Sequence, residues 1–399
     1  MKTKIFIGVC TCFLLCGCVN NNQKETTLLN QEIPVIDLTK DYPEKEFIAN
    51  ETDKEYIPLE TTNDVLIDRY FSIDYVSDKR IVGRNVMRGD IFIFDGNGKV
   101  VSFFNHKGGS NNEYTYPEAV VFDEKAKEIF VSDISQKNRC LVYSENGKYL
   151  RQFNYQNSSR FKIFYDFDAQ TLLAYLAYDE HRQKFSMDNI NQKTPYIFLS
   201  KKDGSVVSRL DDLSFTKRLS NIREFYLGEG RLNLMMIGIS NNMQYGQEFM
   251  IADMSSDTVF VLTQDKKLTP LFVRTPSVFA DENKLTTLVV HFKTDNYLFF
   301  STLTYDWDEI NARINRRQFN FTFPRKEFAY DLRTGQVYHV KEMFSVGTVD
   351  VYGKAAVNLI NADNLIDRLE EGTLEGKLKQ VAQKIDADDN PVVEIIKYK

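Results

Sequence analysis

Ile91-Phe92-Ile93-Phe94-Asp95-Gly96-Asn97-Gly98-Lys99-Val100 and Leu141-Val142-Tyr143-Ser144-Glu145-Asn146-Gly147-Lys148-Tyr149-Leu150 are two copies of one pattern. Each is an apolar strand, an Asn-Gly turn and the start of a second strand. Asn-Gly and Asp-Gly suit tight hairpins because they accept positive φ with little strain. Looser copies follow at Ile197–Val206, Val259–Leu268 and Phe328–Val337. Their spacing of roughly 50 to 70 residues is enough for a four-stranded propeller blade with its loops.

Working outward from the second copy gives a whole unit. The pattern predicts strand A at Glu118–Asp123, B at Glu128–Ser132, C at Arg139–Ser144 and D at Tyr149–Asn154. Composition agrees: aromatics make up 13% of 399 residues, with 30 Phe and 21 Tyr, which favours strands over helices. Hydrophobic residues at 43% supply a large core.

Around this unit, His106-Lys107-Gly108-Gly109, Glu113-Tyr114, Pro117-Glu118-Ala119-Val120, Ile129-Phe130-Val131-Ser132-Asp133 and Asn138-Arg139 resemble an NHL-type propeller repeat. The chain from about residue 51 to 399 resembles the six-bladed propeller lipoproteins abundant in gut bacteria that use polysaccharides. The resemblance is good in the first two blades and weaker beyond, least clear in the fourth. It implies an all-β, six-bladed β-propeller.

Five hairpin copies do not complete six blades, so the chain ends must contribute. Asn390–Lys399 is strand-like, and Glu55-Tyr56-Ile57-Pro58-Leu59-Glu60 is another strand that Pro58 confines to a sheet edge. Pairing Glu55–Glu60 with Pro391–Tyr398 closes the last blade and covers both terminal edges.

Ahead of the propeller lies an address. Met1-Lys2-Thr3-Lys4 is a basic start, and Ile5–Leu15 is an apolar run too short for a mature membrane span. The ending Leu15-Cys16-Gly17-Cys18 resembles the lipobox of bacterial lipoproteins. That resemblance implies cleavage after Gly17, lipid on the Cys18 thiol and acylation of the new amino terminus. Residues 1–17 are then a signal peptide, 18–50 a flexible tether and 51–399 the propeller. Each buried methylene contributes about 0.8 kcal/mol, so several acyl chains on Cys18 hold the protein at the membrane. The expected place is the outer membrane, facing the periplasm or the cell surface. Four of the five cysteines lie in or at the end of this leader. The fifth, Cys140, is read as a small core residue of its strand.

Net charge is −6, and about −8 once Lys2 and Lys4 leave with the leader. A nucleic-acid binder needs a basic face, and no run of Lys and Arg supplies one in the sequence.

In a four-stranded meander the B–C loops and D–A crossovers share one face. Three B–C connections are long: 180–195, 305–326 and 361 to about 389. The last carries the helical pattern Leu365-Ile366, Leu369, Leu374, Leu378, Val381, Ile385, split by Gly372 and Gly376. Loops on a rigid scaffold are where binding resides, so this face is the candidate site. Its candidate ligand-binding residues are Trp307, the only tryptophan, with Asp306, Asp308 and Arg313, and His106 and His181, which lie near predicted loops on the same face. Trp307 among carboxylates suits a sugar-stacking platform or an oxygen-ligand cation site. Equally, it suits a helical loop whose Trp packs on the propeller. Asp133 and Arg139 are read as a blade-capping pair.

The four histidines have no metal-ligand spacing, and there is no nucleophile elbow, P-loop or dinucleotide fingerprint. No catalytic residue, metal or cofactor is assigned. The expectation is a non-enzymatic envelope protein that binds a glycan, a peptide or a partner protein through its loop-rich face. The alternative is a propeller lyase or hydrolase with its active site at the channel mouth.

Overall fold

The computed structural model describes residues 32–47, 54–133, 135, 139–155, 162–176, 178, 193–226, 232–237, 241–245, 248–340 and 355–397. Its sheets form a six-bladed propeller, each blade an antiparallel meander counted A to D from the axis outward. Blade one is Phe71–Val76, Arg80–Asn85, Asp90–Asp95 and Val100–Asn105. Blade two is Pro117–Asp123, Glu128–Asp133, Arg139–Ser144 and Tyr149–Asn154, within a residue of the expected bounds. Blade three is Lys162–Asp166, Thr171–Leu176, Tyr196–Ser200 and Val206–Arg209.

Blade four is Asn241–Tyr245, Glu248–Ala252, Thr258–Thr263 and Leu268–Thr275. Blade five is Lys284–Lys293, Tyr297–Asp306, Arg325–Asp331 and Val337–Val340. Blade six shows Ala355–Ile360 and Val392–Lys397, with Lys54–Pro58 outermost.

The repeated pattern marks the C–D hairpin of blades one to five. Apart from blade four, where the strand is half-buried, the C strands of these hairpins bury both faces along most of their length: Ile91, Phe92, Ile93 and Phe94 are all essentially inaccessible. They therefore appear as continuous apolar runs, whereas the half-exposed D strand Tyr149–Asn154 alternates. At the turns, Gly98, Gly147, Gly204 and Gly335 have φ between +71° and +82°, and Lys266 takes the same place in blade four at +65°. A Cβ on Gly147 would lie 2.6 Å from the Phe104 ring of blade one. Close approach of neighbouring blades, as well as the turn, demands glycine there.

In blades two to four the same turns latch each blade to the one before. The Glu145 carboxylate takes Arg80 Nε of blade one at 2.6 Å. One blade later, Lys201 lies 2.5 Å from both Asp123 of blade two and Asp166 of its own blade. In blade four, Gln264 donates to the Phe167 carbonyl of blade three at 2.9 Å.

Blade six solves the count. Its C and D strands are not a hairpin but the two chain ends, with Val392 opposite Pro58 and Ile396 opposite Lys54. Asn390, which is buried, fastens the join: its side-chain nitrogen donates to Glu60 O and Val65 O, and its oxygen accepts from Ile67 N.

Part of the segment expected as a tether instead belongs to the rim. Val35–Asp37 pairs in parallel with Val273–Thr275, and Glu44–Lys45 with His339–Val340, adding a fifth strand to blades four and five. Ile36 and Leu38 are buried there, with Tyr42 and Phe47 packed against the same core. These four apolar side chains, and two otherwise open sheet edges, explain the pairing.

Cys140 is buried in its strand, as expected of a core residue. Asp133 and Arg139 cap the blade: Arg139 is 3.3 Å from Asp133 and donates to the carbonyls of Asn111 and Glu113.

Candidate functional site

Three insertions build up the B–C and D–A face. Between blades three and four, Ile222–Tyr226 and Leu232–Met236 form an extra hairpin within the D–A crossover. The B–C connection of blade five carries helix Trp307–Asn315. That of blade six carries helices Ala362–Glu370 and Gly376–Ala382, with Gly372 at φ +71° ending the first. Residues 179–192, most of the third long connection, lie outside the described residues.

The hairpin, the blade-five helix and the crossover from blade four to blade five share one core: Phe225, Ile237, Val278, Tyr305, Trp307 and Ile310. Between them lies a cavity of about 220 Å³. One wall comes from the crossover and hairpin at 217–223, the other from the crossover at 278–285, and Trp307 lies at their junction.

The chemistry of the two walls differs. On the first, Lys217, Arg218 and Arg223 contribute three cations; on the second, Asp281 and Glu282 contribute two carboxylates. Arg223 lies over the Trp307 indole, 4.3 Å from the ring centroid, and Lys217 over Phe279 at 5.0 Å. Arg218 is buried and fixed by hydrogen bonds to Tyr175 Oη at 3.0 Å and Leu176 O at 2.9 Å. Cations held against aromatic rings keep their charge but lose side-chain freedom before any ligand arrives.

Trp307 is not an exposed platform. It is 4% exposed, stacks on Tyr305 at 5.5 Å and carries Arg223 on its ring. Its neighbours serve the helix. Asp306 caps the amino terminus by accepting from Glu309 N at 3.1 Å, which lowers its carboxyl pKa. Asp308 is exposed in the first turn, and Arg313 pairs with Glu309 at 3.0 Å. None of these three lines the cavity.

His106 sits in the seam between blades one and two, stacked on Tyr143 at 5.0 Å, with Nε2 2.7 Å from Gly147 O. Cys18 and His181 lie outside the described residues. Of the five ligand-binding candidates that lie among the described residues, only Trp307 lines the cavity. The residues that sequence reasoning missed are Lys217, Arg218, Arg223 and Phe279. They come from crossovers that have no repeat, and nothing in their spacing marks them.

Among the described residues no three His, Cys, Asp or Glu side chains are placed to hold one metal ion. Nor, among them, is any helix long and apolar enough to cross a membrane.

A family model described as a domain of unknown function, DUF4934, matches residues 30–397. The chain belongs to this family. No curated protein matches it. Among solved structures, the DUF4934 chain is similar to a Bacteroides fragilis protein described as a candidate exported protein. The TM-score is 0.57 at 14% identity, over 92% of this chain and 99% of the other. It is also similar to a member of the DUF4221 family from Bacteroides vulgatus, with a TM-score of 0.51 at 13% identity, over 89% and 98% of the two chains. At such identity the likeness is one of fold, and it runs the length of the propeller.

Proposed function

We propose that this chain is an exported, lipid-anchored propeller of the cell envelope that binds a ligand or partner through its loop-rich face. Export is supported by the leader and by the description of the Bacteroides fragilis relative. Lipid anchoring rests on Cys18 and its surrounding sequence. The observation that carries binding is the cavity beside Trp307, whose cationic wall is held in place by aromatic rings. Its volume corresponds to roughly seven waters, enough for one sugar ring or one amino-acid side chain.

Trp307, the only tryptophan, is a built-in reporter at this cavity. Glycan and peptide libraries titrated against the mature protein should include a ligand that changes its fluorescence. That change should be lost in Arg223→Ala and Phe279→Ala. A ligand that binds equally well to both variants would place recognition elsewhere and defeat this reading.

A further inference from the structure

A second concavity lies on the outer edge of blade six, between helix Gly376–Ala382 and the strands formed by the chain ends. At about 560 Å³ it is larger and more open than the cavity at Trp307. Its lining includes Lys54, Lys377, Lys384 and Lys397, drawn from three distant stretches of a chain whose net charge is −6. No run of basic residues foreshadows it. The fold alone assembles it, because closing the ring pairs Lys54–Pro58 with Val392–Lys397 and the helical insertion adds Lys377 and Lys384.

The charge is only partly neutralised. Glu55, the one carboxylate in the lining among the described residues, pairs with Lys397 at 3.3 Å, and Glu394 pairs with Lys54 at 3.4 Å. Lys377 and Lys384 are exposed and have no ion-pair partner among the described residues. Tyr56, half-buried against the core of the helical insertion, and the exposed Gln380 share the lining and add an aromatic ring and an amide to it.

We infer that this groove binds an acidic glycan. The lysines act as point charges for spaced sulfate or carboxylate groups rather than as forks for a single anion. A concave site suits a chain molecule better than a bilayer, which needs a flat or convex basic surface. The net charge of −6 disfavours a long nucleic acid as the occupant.

The test is calorimetric titration of the mature protein with a sulfated hexasaccharide and a neutral one of equal length. The sulfated sugar should bind and the neutral one should not. A fourfold rise in salt should weaken binding roughly tenfold, as release of a few counterions requires. The double variant Lys377→Gln, Lys384→Gln should lose about tenfold in affinity while keeping its melting temperature, since both side chains are exposed. The inference is overturned if the sulfated sugar fails to bind at low salt, or if the double variant binds it unchanged. It is equally overturned if vesicles of anionic lipid or an acidic peptide bind as tightly as the sugar. Neither substitution touches the cavity at Trp307, so failure here leaves the reading of that cavity intact.

Discussion

His291, on the inner strand of blade five, shows how a single residue couples this fold to pH. Its Nε2 is 2.8 Å from Ser301 Oγ, and the ring is buried. Burial, with a smaller contribution from Arg325, pushes its pKa down from 6.5 to about 4. Between those values the unfolded chain takes up a proton that the folded chain refuses. The stabilisation is complete above pH 6.5 and is lost as pH falls towards 4. At about 1.4 kcal/mol per pKa unit, the loss across that window is on the order of 3 kcal/mol. Urea unfolding at pH 7 and pH 5 should show the difference, and His291→Gln should flatten it. An unchanged slope in that variant would assign the acid sensitivity to other groups.

At the scale of elements, the latch between blades makes a sharper demand. Lys201 reaches from its turn to the buried Asp123 of blade two and to Asp166, whose pKa burial raises despite the neighbouring ammonium. Lys201→Met would leave Asp123 buried without its cation, a change that typically costs about 3 to 5 kcal/mol. The double variant Lys201→Met, Asp123→Leu should recover much of that loss in chemical denaturation. If the single variant proved neutral, the latch would be ornamental. These elements also show what was legible beforehand. The C–D hairpins are legible because their C strands are apolar runs and their turns take positive φ, two demands written locally. The latch residues Glu145 and Lys201 occupy matching turn positions with opposite charges, so a search for repeated chemistry passes over them. The cavity was less legible still. Arg223 and Trp307 are 84 residues apart and meet only through an unrepeated hairpin and a loop helix. Trp307 stands out in the sequence because it is unique, whereas Asp306 and Arg313 stand out only as its neighbours and serve the helix.

For the whole molecule, the decisive question is how the ring is held shut. The chain's first part makes two kinds of contact: Val35–Asp37 and Glu44–Lys45 extend blades that are complete without them, while Lys54–Pro58 is the outermost strand of blade six. Nested truncation separates the two. Removing residues up to 47 takes away the buried side chains of Ile36 and Leu38 and opens two sheet edges, at a cost of a few kcal/mol by the usual value of buried aliphatic side chains. The ring remains closed, so unfolding should stay a single cooperative transition at a lower midpoint. Removing residues through 60 also takes the partner of Val392–Lys397 and strips Asn390 of its Glu60 acceptor. That strand would then present an open apolar edge, with Val392, Val393, Ile395 and Ile396 all buried in the intact protein. The longer truncation should aggregate or unfold in two steps, and the same should hold for deletion of residues 391–399. Equal midpoints for the two amino-terminal truncations would mean that closure lies in the crossovers on the loop-rich face, not in the meeting of the chain ends.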